Sequence, residues 1–212
     1  MKINKITQST YKEDRAVIHL DTGKVFSVHK DLMLDNQLWA GKEITEDILS
    51  KLEAQDISYK LLDKAYGKLA RKLCSEKELV QYLNKYIYTN KLVVNSTEIE
   101  SIIIKLKGFG FIDDLKFAQQ FVDVRSGRKS EIELKNLLKQ KGIISEILDQ
   151  VFSSRSSEIE LNTLTTLAEK KLKNLSGRNL DKKEIKIKLL SFLYRKGFSF
   201  DESKKVVDRL IS

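Results

Sequence analysis

The chain has 212 residues, 41% of them hydrophobic and 33% charged, which excludes a disordered polymer and fits a folded protein with a heavily charged surface. It has no proline and one cysteine, Cys74, so Pro-rich linkers, intrachain disulfides and cysteine-clustered zinc are excluded. The net charge is +9, and the excess lies toward the C-terminus: residues 164–212 hold 13 Lys/Arg against 6 Asp/Glu, whereas residues 1–60 hold 9 against 10.

That excess points to a polyanionic partner, nucleic acid before membrane, with a merely solvated lysine-rich surface as the plain alternative. Met1–Lys5 is not followed by an apolar run, and no apolar window approaches the ~20 residues that span a bilayer. A cytoplasmic protein without membrane contact is expected.

The first 30 residues read as strands. Arg15–Leu20 and Val25–Lys30 are rich in β-branched residues, and Asp21-Thr22-Gly23-Lys24 supplies turn chemistry between them. Residues 3–10 add a third strand, because two alone are marginal. His19 and His29 lie on these strands and read as ordinary strand residues. Residues 31–38 form a short helix, with Gly41 as its stop. Thr45 opens another helix, and Asp56 or Ser58 starts a longer one carrying Leu61, Leu62, Ala65, Leu69 and Leu73 at helical spacing.

From there the chain is rhythmic. Six pairs match the capping box, a Ser, Thr or Asp with Glu three residues on: Ser75/Glu78, Thr97/Glu100, Ser130/Glu133, Ser157/Glu160, Asp181/Glu184 and Ser199/Glu202. Asp113-Asp114 makes a seventh start. Ser75 leads to Leu79 and Leu83, Ser130 to Leu134 and Leu138, and Asp181 to Ile185 and Leu189, one helix face each time. A helix precedes and a short helix follows each of these three, and Gly108, Gly110, Gly142 and Gly197 read as left-handed stops. The fold class is mainly α: tandem three-helix repeats forming an elongated curved body, with a small N-terminal β-hairpin region. The expected divisions are residues 1–57, then repeats at 58–110, 111–156 and 157–212.

Catalytic chemistry is not expected. No P-loop, no G-x-S-x-G and no H-E-x-x-H is present. Asp113 and Asp114 sit where a helix begins, and adjacent helical residues point ~100° apart, so they do not share a metal. No cofactor and no metal are expected, and Cys74 reads as packing or surface. The candidate site is basic. One cluster is Arg125, Arg128, Lys129, Lys135, Lys139 and Lys141. A second includes Lys170, Lys171, Lys173, Arg178, Lys182, Lys183, Lys186, Lys188, Arg195 and Lys196. Such residues suit phosphate contact, which needs no catalytic geometry.

Several stretches resemble one family. Gly110-Phe111-Ile112-Asp113-Asp114-Leu115-Lys116-Phe117-Ala118 resembles the G-[YF]-[IL]-[DN]-D-x-x-[FY]-A signature of RecX, the regulators of the bacterial recombinase RecA. Glu133-Leu134 with Lys139-Gln140-Lys141-Gly142, Ser75-Glu76-Lys77-Glu78-Leu79, and Phe192-Leu193-Tyr194-Arg195-Lys196-Gly197-Phe198 resemble its other repeat motifs, in order and at suitable spacing. The N-terminal hairpin region is similar to the longer members of Gram-positive bacteria. Two departures stand out. Leu73-Cys74 replaces the usual Pro-Arg, and Tyr86-Ile87 stands where Lys-Gly is usual, so that the helix runs on toward Thr89.

The resemblance implies a protein, expected as a monomer, that binds the RecA filament on single-stranded DNA and restrains its ATPase, strand-exchange and co-protease activities. Contact with duplex DNA is also open. The rivals are a helix-turn-helix-like DNA-binding regulator acting without RecA, and a helical scaffold that binds no nucleic acid.

Overall fold

The computed structural model describes residues 1–10, 12–95, 97–153, 157–177 and 180–211. Arg178 of the second basic cluster lies outside them, as do residue 156 at an expected repeat boundary and Ser212. Three strands and ten helices are found among the described residues.

Strands β1 (Ile3–Gln8), β2 (Arg15–Leu20) and β3 (Val25–His29) pair antiparallel in that order, with Ile18 opposite Ile6 on one side and Phe26 on the other. Alternation puts Ile3, Ile18, Leu20 and Val28 on one face, where they pack with Leu32 of α1 (Lys30–Asp35) and with Leu49 and Leu52 of α2 (Glu46–Leu69). The outer edge of β3 is closed by side chains rather than by a fourth strand. Arg15 Nη2 donates to the Ser27 carbonyl at 2.8 Å, and the His29 amide donates to Asp56 Oδ1 at 2.9 Å. Arg15 and Asp56 also bind each other at 2.5 Å and are 6% and 1% exposed.

That pair overturns one expectation. Asp56 does not start a helix; α2 runs unbroken from Glu46 to Leu69, capped by Thr45, whose hydroxyl accepts the Ile48 N–H at 3.3 Å. A buried mid-helix carboxylate is tolerated because Arg15, the His29 amide and Lys60, at 3.0 Å, surround it. The expected break near residue 57 therefore falls inside a helix. The stop assigned to Gly41 is also displaced: α1 ends at Asp35, and Gln37, at φ +48°, takes the left-handed position. Gly41, at φ +99°, instead forms the turn whose amide donates to the Ile3 carbonyl at 2.7 Å.

Then come α3 (Glu76–Thr89), α4 (Glu98–Gly108), α5 (Asp114–Arg125), α6 (Glu131–Gln140), α7 (Ser145–Ser153), α8 (Ser157–Ser176), α9 (Lys182–Arg195) and α10 (Phe200–Ile211). The Asp181/Glu184 and Ser75/Glu78 boxes bond in both directions. Ser130 and Ser199 accept the amides of Glu133 and Glu202. Asp113 caps α5 through the Lys116 amide at 2.9 Å. Two expected boxes do not form. Thr97 has helical backbone (φ −86°, ψ −7°) and makes no side-chain cap bond, while Ser157 is already the first helical residue of α8.

Several helix ends share one pattern. In α6, the Gly142 amide donates to the Lys139 carbonyl and the Ile143 amide to Leu138; α9 repeats it with Gly197 on Tyr194 and Phe198 on Leu193. This is the Schellman closure, which needs a left-handed residue. Gly110, Gly142 and Gly197 supply it at φ +72°, +88° and +90°. Gly108, expected as a stop, is the last helical residue of α4. At the end of α3 the same closure carries Lys91 at φ +50°, and α3 does run to Thr89.

The chain divides into two compact units, Met1–Leu73 with Leu79–Phe111, and Cys74–Glu78 with Ile112–Ser212. In the second, α5–α7 close one core around Phe117, Ala118, Leu134, Leu138 and Leu148. Helices α8–α10 close another around Leu164, Ala168, Leu189, Leu193 and Val207.

Two measurements test these assignments. Asp56→Ala leaves the Arg15 guanidinium buried without its counter-ion, and its Nη1 already has no acceptor among the described residues; unfolding in urea should show a loss of about 3–5 kcal/mol. Lys91→Gly removes a left-handed side chain at the cost of backbone entropy, and should raise the urea midpoint by an amount equivalent to a few tenths to about 1 kcal/mol.

Candidate nucleic-acid interface

The basic clusters rest on a junction that occurs twice within the second unit. The Ser75 hydroxyl accepts the Glu78 amide of its own helix and donates to the Lys141 carbonyl at the end of α6, at 2.7 Å. The Ser130 hydroxyl does the same for Glu133 and for the Lys196 carbonyl at the end of α9. Both contacts span 66 residues. A carboxylate from the following repeat takes the next amide: Asp114 accepts from Glu76 at 2.9 Å, and Glu160 accepts from Glu131 at 3.0 Å. Glu160 thus serves the neighbouring helix. The glycines allow this approach, since a Cβ at Gly142 would lie 2.7 Å from Lys77 Cβ, and one at Gly197 would lie 3.0 Å from Ile132 Cβ.

The junction consumes several of the expected site residues. Lys141 Nζ lies 2.5 Å from Glu78, Lys196 Nζ lies 3.4 Å from Glu133, and Lys129 also binds Glu133. Lys135 pairs with Glu131 at 2.7 Å, and Lys186 with Asp208 at 2.5 Å. Arg125 lies with its guanidinium carbon 3.9 Å from the Phe121 ring centre, and Lys171 Nζ lies 5.4 Å over Phe192. Arg128, Lys139, Lys170, Lys182, Lys183 and Arg195 are exposed, with no carboxylate in ion-pair range among the described residues. A polyanion is drawn to uncompensated charge, so these six are the part of the expected set best suited to phosphates.

Burial alone would push the Glu133 carboxyl up. The hydrogen bond and charge of Lys129, with those of Lys196, more than offset it and hold the group below its ordinary value.

One group of possible metal ligands occurs among the described residues, Asp14, His29 and Asp63 on the first unit. Its geometry favours ion pairs. Lys12 Nζ sits 2.8 Å from Asp63, and His29 Nδ1 accepts the Asp31 amide at 3.2 Å, with Nε2 3.7 Å from Asp14. His29 also stacks on Tyr59 at 4.4 Å, so it anchors the start of α1 against α2.

Sequence reasoning missed a second set of cations on the first unit. Lys64 and Lys68 of α2 lie 5.0 and 5.2 Å over the rings of Tyr86 and Tyr82 of α3. Their i, i+4 spacing was the available signal.

These elements define a helical-repeat protein of tandem three-helix units, with cations on its helix faces. The family domain described as "RecX, third three-helix domain" matches residues 158–207. The regulatory protein RecX of Bacillus licheniformis is 34% identical over 202 residues, covering 94% of this chain and 73% of that protein. That of Clostridium acetobutylicum is 28% identical over 212 residues, covering 99% and 96%. Among solved structures, a crystal structure of regulatory protein RecX covers 98% of both chains with a TM-score of 0.73 at 24% identity. RecX from Lactobacillus salivarius covers 74% of this chain with a TM-score of 0.61 at 25% identity. The chain belongs to the RecX family of regulatory proteins. No helix among the described residues is long and apolar enough to cross a membrane.

The pH dependence of the junction can be measured. Glu133 has a lowered folded-state pKa, so its contribution is complete above the unfolded value of about 4.3 and is lost as pH falls through the lower folded value. Thermal melts should show wild type above Glu133→Gln at pH 7, with the two converging below that range. A difference that stays constant down to pH 3 would contradict the assignment.

Proposed function

We propose that this protein binds the RecA filament assembled on single-stranded DNA and restrains RecA's ATPase, strand-exchange and co-protease activities, acting as a cytoplasmic monomer without a cofactor. Family membership supports the regulatory role. One observation in the chain itself carries the contact: Lys182 and Lys183 occupy the first turn of α9, where the helix dipole disfavours cations, and both are exposed without ion-pair partners among the described residues. Positive charge held where it does not help the helix is charge available to a partner. Arg128, Lys139, Lys170 and Arg195 extend the same chemistry, phosphate contacts being made by flexible point charges and guanidinium forks.

The test is RecA's DNA-dependent ATPase with and without the protein. Inhibition at stoichiometric amounts is expected, and none would sink the proposal. Lys182→Glu/Lys183→Glu should raise the concentration for half-inhibition at least several-fold. Lys186 is left unchanged because its reversal would set two carboxylates against each other at Asp208. Sequence-selective binding to duplex DNA without RecA would instead favour an independent DNA-binding regulator.

A further inference from the structure

The first unit carries cations that no carboxylate neutralises. On α2, the acidic residues nearest the C-terminal half are already engaged: Asp56 by Arg15 and Lys60, and Asp63 by Lys12. Lys64 and Lys68, one turn apart, have no ion-pair partner among the described residues. Their ammonium groups lie over the ring faces of Tyr86 and Tyr82. A tyrosine face holds a cation in place without cancelling its charge, whereas a carboxylate does both. The lysines are half-buried, so their stems are ordered and little side-chain entropy is lost on binding. Arg71 and Lys72 follow directly after α2 and are exposed, and Lys85 stands exposed on α3, three residues from Tyr82. Four residues along a helix are about 6 Å, which sets Lys64 and Lys68 as successive contacts along a charged polymer.

The second unit holds both kinds of cation: Arg128, Lys139, Lys170, Lys182, Lys183 and Arg195 are exposed without ion-pair partners among the described residues, and other lysines are neutralised. There Lys129, Lys135, Lys141, Lys186 and Lys196 each face a carboxylate. We infer that the α2–α3 face formed by Lys64, Lys68, Arg71, Lys72 and Lys85 binds the phosphate backbone of a nucleic-acid strand, with Tyr82 and Tyr86 positioning its lysines. This deepens the proposed function by adding a contact for the filament's DNA in the first repeat. It also stands apart from RecA, because the face should bind a free strand.

The experiment is fluorescence anisotropy of the full chain with a labelled oligothymidylate and with a duplex of equal length, from 50 to 200 mM salt. Wild type should bind with an affinity that falls steeply with salt. Lys64→Gln/Lys68→Gln/Lys72→Gln should weaken binding at least tenfold at 50 mM, and should flatten the log–log salt slope by about 2 for the single strand at ~0.7 per phosphate contact. Lys→Arg at the same three positions should restore both, which separates lost charge from lost fold. Tyr82→Leu/Tyr86→Leu, still cationic, should weaken binding while keeping the slope. Comparable effects on the duplex would assign the face to phosphates in either form, and a loss confined to the oligothymidylate would assign it to single strands. An unchanged slope in the triple Gln variant overturns the inference, as does a wild type that binds neither probe. The ATPase measurement is separate: inhibition with an unchanged slope leaves the RecA proposal standing and removes this face from it.

Discussion

The second unit depends on a serine hydroxyl that works in two directions. A helix start leaves amides without partners and a helix end leaves carbonyls without partners. Ser75 and Ser130 address both deficits at once, accepting from the first turn of one helix and donating to the last carbonyl of another. The negative end of one helix dipole thereby meets the positive start of the next. Glu78 and Glu133 then face Lys141 and Lys196 across the same joint. Buried hydroxyls fit such a position because they are donor and acceptor together, and both serines are fully buried.

This joint changes how the positive charge should be counted. Lys141 and Lys196 look like members of basic clusters in the chain, but each has a structural counter-ion. Lysines bound to glutamates across a repeat junction lend little field to the solvent, while exposed lysines at the start of α9, or lysines lying on tyrosine rings in α2, lend much. Net charge alone does not distinguish the two. The protein can be strongly basic overall and still present its attraction through a small subset of side chains.

Much of the fold was legible because its signals are local. Val17, Ile18 and Val28 announce strands, and the leucines at i+4 and i+8 after Ser75 and Ser130 announce helix faces, each within ten residues. The errors arose where a distant residue determines the local outcome. Asp56 resembles a helix start until Arg15, 41 residues away, is seen to hold it in mid-helix. Glu160 resembles half of a capping box until its carboxylate is found on Glu131, 29 residues back. The site was legible as composition but not as pairing, because the partners of Lys141 and Lys196 lie 63 residues away. The α2 cations were overlooked for the same reason: nothing near Lys64 or Lys68 in the chain indicates that tyrosines of α3 lie beneath them.

The residues at the two ends of the repeat series differ from those at its joints. Where α6 and α9 end, glycine leaves room for the neighbouring helix start; where α3 ends, Lys91 occupies the same left-handed position and carries a Cβ. Where α3 and α6 begin, serine can donate to an incoming carbonyl; where α9 begins, Asp181 can only accept and would repel one. The end of α3 therefore lacks the clearance found at the joints, and the start of α9 lacks their hydroxyl donor. The joint therefore has a polarity written in single atoms: a glycine-closed helix end fits a serine-headed helix start, and the same two helix features elsewhere in the chain are built without that fit.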